Sequence, residues 1–361
     1  MSDISKQLID QVNAATADKK PISIQGGGTK MHLGRTVDKS ATVVSIAKHT
    51  GVVAYTPAEL IMTVRAGTSL AEIDAELAKN NQILACDPRR FGGHATIGGS
   101  LAANQAGHAR PWLGSLRDHV LGVKLINGKG EHLQFGGQVL KNVAGYDVSR
   151  LQAGAMGTLG VMTEISFKVL PKPAQSATLS KAINAEQAIQ LMNELSATAK
   201  PITGASWHDG VMRVRLEGAG QAVDATVKQW VAGFDMVLDE AKEANSYWSG
   251  IREQTLTFFT QPEKPLWRFS VNAAAEAVMP EENWLFNWSG SERWLRGDFK
   301  LDELFEQAKA LKGEVQLYSG GDRSGDVSLA SSETMKTLLR NVKQAFDPNN
   351  IFNPGRLHRW L

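Results

Sequence analysis

Apolar residues at Ile4, Leu8 and Val12 recur every four positions and predict an amphipathic helix at the start of the chain. Pro21-Ile22-Ser23-Ile24 reads as a short strand that runs straight into Gly26-Gly27-Gly28. A second strand, Val52 to Tyr55, turns at Thr56-Pro57, and alternation resumes at Met62, Val64 and Ala66 before Gly67. Ser69 and Glu72 have capping-box spacing, which places Leu70, Ile73 and Leu77 on the inward face of a helix. Val120 to Phe135 reads as a hairpin turning at Asn127-Gly128-Lys129-Gly130. Val161, Thr163, Ile165, Phe167 and Val169 alternate with Met162, Glu164, Ser166 and Lys168, as in a strand with one solvated face, and Pro171 and Pro173 end it.

Those prolines mark a change of composition. Glycine loops thin out, and helical patterns alternate with short strands such as Val211 to Leu216, so a domain boundary is expected at 173/174. Leu301, Leu304, Phe305, Ala308 and Leu311 trace one helical face closed by Gly313; Leu338, Val342 and Phe346 trace another, stopped by Asp347-Pro348. Trp284 and Trp288 share a face if their segment is helical. With Trp207, Trp230, Trp248, Trp267 and Trp294 they are explained by core packing, or in part by subunit contacts.

Composition narrows the class. The 361 residues, 42% of them hydrophobic, suffice for two domains, and 39 basic against 37 acidic residues leave no field to steer nucleic acid or an anionic membrane. The lone Cys86 forms no intramolecular disulfide, and no CxxC is present to hold an iron–sulfur cluster. MSDISKQLIDQV lacks the apolar run of a secretory signal, and no segment offers about 20 apolar residues for a bilayer span. A cytoplasmic protein with a small-molecule or protein partner is expected.

The glycine loops carry the candidate chemistry. Gln25-Gly26-Gly27-Gly28-Thr29 after a strand suits a pyrophosphate, because residues without Cβ bring backbone N–H groups close to the anion; a plain flexible turn has the same residues. It is neither a GxGxxG fingerprint nor a Walker loop. From Ala95 to Gly107 small residues persist while Thr96, Ser100, Asn104 and Gln105 supply hydrogen-bonding groups, as in a wall around a planar ligand or a closely packed helix start. Arg117-Asp118-His119 is a surface ion pair or a lock on that loop. Gly145-Tyr146-Asp147 is a turn with a half-buried tyrosine, or its phenol lines a ligand ring or contacts a neighbour across an interface. Gly154 to Val161 again sets glycines before a strand.

In order, QGGGTK, TPAELIMTVRAGTSLAEI, DPRRFGGHATIGGSLAANQAGHARPWLGSLRDHVLG, KNVAGYDVSRLQAGAMGTLGVMTEI and FDPNNIFNPGRL resemble the vanillyl-alcohol-oxidase-type (PCMH-type) FAD-binding family, and within it the FAD-binding subunits of bacterial glycolate oxidases. The resemblance runs nearly the whole chain and is least diagnostic from about Ala174 to Lys300. It implies an α+β fold: a two-lobed FAD-binding domain over 1–173, an α+β cap over 174–330, and a C-terminal segment, 331–361, returning to the first domain. Gly26, Gly27, Gly28 and Thr29 would hold the pyrophosphate. Pro88, Thr96, Gly98, Gly99, Asn104 and Gly107 would shape a second FAD loop, Gly157, Thr158 and Val161 would flank the adenine-ribose end, and Asn353-Pro354-Gly355-Arg356 would close on the flavin ring. The implied activity is oxidation of glycolate, a small 2-hydroxy acid, to glyoxylate. A larger FAD subunit and an iron–sulfur subunit are the implied partners, with any membrane association peripheral and through the complex.

Departures from the pattern shape the remaining expectations. Relatives with covalent flavin carry a histidine where this chain has Thr29-Lys30, so noncovalent FAD is expected. The clustered cap histidines of metal-assisted relatives are missing, only His208 and His358 lying beyond His132, so no metal is expected. Arg213, Arg215, Arg252, Arg268 and Arg323 are carboxylate binders or surface cations, and nothing in the sequence selects a catalytic base. Three functions follow: a subunit supporting glycolate oxidation, an FAD-holding scaffold for a catalytic partner, or a self-sufficient 2-hydroxy acid dehydrogenase.

Overall fold

The computed structural model describes residues 2–36, 40–137, 146–277, 283–329 and 332–361. Gly145, and the start of the KNVAGYDV segment with it, lies outside the described residues, as does the expected boundary at 330/331.

The first body contains α1 (Ser5–Asp18), β1 (Ile22–Gln25), β2 (Thr42–Ser45), β3 (Val52–Thr56), β4 (Ile61–Arg65), α2 (Leu70–Ala78), β5 (Gln82–Leu84), α3 (Ile97–Ala103), the short α4 (Arg110–Leu113) and α5 (Leu116–His119), β6 (Val120–Ile126), β7 (His132–Gly136), α6 (Val148–Leu151) and β8 (Val161–Pro171). It has two lobes. In one, β1 and β2 pair in parallel, and Phe352 from the end of the chain bridges Ile22 on β1. In the other, antiparallel strands run in the order β3-β4-β8-β6-β7, with β5 on the far end of β8.

Local sequence explains these elements. Leu8 and Val12 are fully buried along α1, which fixes its inward face. The Ser69–Glu72 capping box forms as its spacing predicts, and Leu70, Ile73 and Leu77 are buried behind it. The alternation along β8 holds from Thr163 to Val169, but Met162 is buried as well, because it faces the cleft described below. A single core joins α1, both lobes and Ile351-Phe352; each such aliphatic side chain contributes roughly 1.5–3 kcal/mol.

The second body begins within four residues of the end of β8. It contains β9 (Gln175–Ala182), α7 (Ala185–Ser196), β10 (Ile202–His208), β11 (Val211–Gly218), α8 (Gly220–Phe234), β12 (Val237–Leu238), α9 (Ala241–Glu253), β13 (Leu266–Ser270), β14 (Trp284–Asn287), β15 (Glu292–Arg296), α10 (Leu301–Ala310) and β16 (Glu314–Ser319). Among the described residues its strands form one antiparallel sheet ordered β12-β9-β11-β10-β14-β15-β13-β16. Trp284 lies on β14 and Trp288 begins a 3-10 turn, so the helical condition for a shared tryptophan face is not met; both rings are nevertheless buried.

Finally α11 (Glu333–Phe346) returns to the first body. Its expected apolar face is not its buried face: Leu338 is 55% exposed, whereas Lys343 is buried. The reason is the Lys343 ammonium, which donates to Thr158 O, Phe352 O and the Asp347 carboxylate, all at 2.7–2.8 Å. Asp347 in turn accepts from the backbone N–H groups of Ile351 and Phe352. A buried ion pair, together with Phe346, Ile351 and Phe352 packed on the first core, thus fixes the end of the chain against the first body.

Candidate functional site

Five separated segments, one of them represented by Ile46 just after β2, converge on one solvent-open cleft. Ser23 to Met31 come from β1 and its glycine loop, Thr96, Gly98, Gly99, Ala102 and Ala103 from α3, Met156, Gly157 and Gly160 from the loop before β8, and Asn353 and Arg356 from the end of the chain. Thr96 caps α3, its hydroxyl accepting from Gly99 N. Asn353 ties three segments together, since its carboxamide accepts from Ile24 N and donates to Met156 O at 2.6 Å. Asn353 and Met156 both hold positive φ, at 41° and 49°, conformations unusual for residues with a Cβ.

Two glycines show what the cleft requires. A Cβ on Gly27 would lie 1.5 Å from the His94 carbonyl oxygen, so the loop can approach its neighbour only without one. Gly28 has φ +71° and no atom within 4 Å of an added Cβ: its backbone turns toward open space.

Gly26, Gly27, Gly28, Thr29, Thr96, Gly98, Gly99, Gly157 and Asn353 therefore share one cleft. Pro88, Asn104, Gly107, Thr158 and Val161 are not on its lining. Pro88 forms a bridge with Ala106, and Gly107 donates to Asp87 O while accepting from Trp288 Nε1, so that loop braces the second body. Asn104 ends α3 in the left-handed conformation. Thr158 is buried with its hydroxyl on Ala155 O and its carbonyl on Lys343, and Val161 is a fully buried core residue.

Sequence reasoning passed over Met31 and Ile46, noted Lys30 only as a departure and Met162 only as a strand residue, and reached Ala102, Ala103, Met156 and Gly160 only as members of the glycine- and alanine-rich segments. Lys30 and Arg356 are the cations of the lining, and no aspartate or glutamate lies among the described residues there. Arg356 donates to Met31 O and Arg35 O, which holds the closing segment to the glycine loop. The strand-then-glycine pattern located the loop, but the side-chain reach of the residue that follows it carries no sequence signal.

The remaining candidates lie elsewhere. Arg89 and Arg268 pair with the fully buried Glu292 at 2.8 and 2.7 Å. Burial alone would raise the Glu292 carboxyl, but the two guanidiniums overcome it and hold it below the ordinary value. His108 accepts from Arg215 and lies 3.2 Å from Asp87, which Arg252 also contacts; burial pushes its imidazole down to about 4. Burial also lowers His208, which packs edge-on against Phe258. His358 stacks on Trp360. Arg213 pairs with Asp239, and Arg323 donates to Tyr318 O. Among the described residues no three His, Cys, Asp or Glu side chains converge as metal ligands, and no helix is long and apolar enough to cross a membrane.

Residues 4–136 match the model of an FAD binding domain, and residues 323–357 match that of the FAD linked oxidases, C-terminal domain. Glycolate oxidase subunit GlcE of Escherichia coli K12 is 40% identical over 360 residues, 99% of each chain. D-lactate dehydrogenase of Archaeoglobus fulgidus is 23% identical, covering 94% of this chain and 86% of its own, and glycolate oxidase subunit GlcD of Bacillus subtilis is 31% identical over 49% of this chain and 38% of its own. Alkyldihydroxyacetonephosphate synthase has the same fold, at a TM-score of 0.67 and 15% identity over 97% of this chain and 75% of that one. The chain belongs to the PCMH-type FAD-linked oxidoreductase family that includes glycolate oxidase subunit GlcE.

Proposed function

We propose that this chain is the smaller FAD-binding subunit of a glycolate oxidase complex, holding FAD noncovalently and supporting oxidation of glycolate to glyoxylate with a larger FAD subunit and an iron–sulfur subunit. The observation that carries the FAD assignment is the convergence of five chain segments on a glycine-lined cleft with two cations and no carboxylate on its described lining. That donor set fits a dianionic diphosphate flanked by planar groups: backbone N–H groups from the Gly26–Gly28 turn, hydroxyls from Thr29 and Thr96, and flat apolar walls from Ala102, Ala103, Met156 and Met162. When bound, FAD supplies the two-electron acceptor, and the residues of the chain orient it. No histidine stands at Thr29-Lys30, the position where relatives with covalent flavin carry one, which supports noncovalent attachment. Residues 1–173 and 331–361 then form the FAD-binding unit and 174–330 the cap.

A second reading, that the chain is an FAD-holding scaffold whose partner turns over the hydroxy acid, is favoured by one observation. No described residue of 174–330 lines the cleft. The chain alone, mixed anaerobically with glycolate and then given an artificial electron acceptor, separates the readings. Bleaching of its flavin only after the larger subunit is added supports a supporting role in the complex; rapid bleaching of the chain alone overturns the scaffold.

A further inference from the structure

The two cations of the cleft are held differently. The Arg356 guanidinium is committed to backbone carbonyls. The Lys30 ammonium has only outer-limit contacts: 3.4 Å to Thr29 Oγ1, 3.4 Å to Ser100 Oγ on α3, and 3.5 Å to Arg90 O. It also lies 5.8 Å from the centroid of the Phe91 ring. A largely buried ammonium with three long contacts has donor capacity left for an anion, and it stands directly after the glycine turn.

We propose that Lys30 is a binding residue for the diphosphate of FAD, its ammonium supplying the formal positive charge that the backbone N–H groups of the glycine loop lack. The inference rests on the FAD reading of the cleft. Charged groups face the ammonium from three sides. Glu253 on α9 attracts it while its carboxylate also takes Phe91 N and Arg252; Arg90, paired with Asp74 at 2.6 Å, repels it; His32 shares its loop. From α3 the neighbour is the neutral Ser100. Burial is the largest influence and Arg90 adds to it, so that despite Glu253 the ammonium is brought down to about 8. Burial, Arg323, Lys30 and Arg356 together bring His32 down to about 4, so His32 is neutral at this pH and adds no competing charge.

A consequence follows for affinity. The cationic form of Lys30 binds the anion better, so bound diphosphate raises its proton affinity, and FAD affinity is full below about pH 8 and falls as pH rises above it. The apo-chain is titrated with FAD at pH 7 and pH 9.5, alongside Lys30→Met and Lys30→Arg, with ADP as a probe that has the diphosphate and riboflavin as one that lacks it. At pH 7, Lys30→Met weakens FAD and ADP about tenfold or more, the scale of a hydrogen bond to a charged group, and leaves riboflavin unchanged. The wild type loses affinity from pH 7 to 9.5, Lys30→Met shows no such fall, and Lys30→Arg, charged throughout, stays tight at both. Equal FAD affinity and equal pH slope in wild type and Lys30→Met overturn the proposal, as does a loss of riboflavin affinity as large as that of FAD. Should Lys30→Met not fold, a flat profile for Lys30→Arg beside a sloping wild type supports the proposal and matching slopes overturn it. A wild-type chain that binds no FAD at any pH instead overturns the reading of the cleft itself.

Discussion

The cleft and the seam between the two bodies are built on opposite terms. The cleft is lined by glycine, alanine, methionine and hydroxyl groups, and its turn faces open space. The seam is filled. Leu33 and Ala103 of the first body pack with Trp248, Phe258, Phe259, Trp294 and Tyr318 of the second, and two polar networks cross it, Arg89–Glu292–Arg268 and Arg252–Asp87–His108–Arg215. Arg89 also stacks on Trp294 at 4.8 Å. One region keeps backbone donors available for a ligand, and the other pairs its charged side chains with one another, although Arg89 Nε and Tyr318 OH are buried there without a hydrogen-bond partner among the described residues. Stability and cofactor affinity should therefore respond to different residues.

The largest test of that separation is Glu292→Ala. It leaves two guanidiniums in the seam without their carboxylate and is expected to cost about 3–5 kcal/mol in urea unfolding, while the folded fraction keeps its affinity for FAD. A parallel fall in affinity would mean that seam and cleft are one device.

Gly27→Ala asks the converse. The new methyl meets the His94 carbonyl and must displace the loop, at about 1–3 kcal/mol of overpacking, which should emerge as a tenfold or greater loss of FAD affinity in a titration. Unfolding of the apo-protein should change by less than it does for Glu292→Ala.

The smallest effect is one of pH. His108 sits in the seam among Asp87, Arg215, Arg252 and Arg89, with its proton affinity depressed to about 4, below the 6.5 of an unfolded histidine. Between those values the unfolded chain binds the extra proton, so this contribution is full above pH 6.5 and is lost as pH falls toward 4. Of order 1–2 kcal/mol should disappear between pH 6.5 and 5. His32 acts in the same direction, so His108→Gln should reduce the slope of chemical stability against pH without abolishing it.

What could be read in the sequence follows the range of the interactions. The α2 capping box, the β6–β7 hairpin and the β8 alternation depend on neighbours a few residues away, and their patterns are visible in the chain. The glycine loops were visible for the same reason, whereas their meeting with Asn353 depends on contacts across more than 300 residues, and the ordered resemblance to a family supplied that expectation. Residues expected in a second FAD loop divide: Thr96, Gly98 and Gly99 reach the cleft, while Pro88 and Gly107 support the seam, because the chain turns away between them. The α11 pattern misled since periodicity sees only hydrophobicity, whereas the buried Lys343 is held by polar groups: Asp347 four residues on, the Phe352 carbonyl nine residues on and the distant Thr158 carbonyl. Trp284 and Trp288 likewise suited a helix by spacing, but β-pairing with β15 claimed Trp284.

The claim that this cleft holds FAD without a covalent bond is tested most directly by the absorption spectrum of the purified chain, saturated with FAD and freed of excess, before and after acid precipitation. A flavin band that accompanies the protein and passes wholly into the supernatant is the predicted result. A chain that stays colourless after saturation, or a yellow pellet that keeps its flavin, would contradict it.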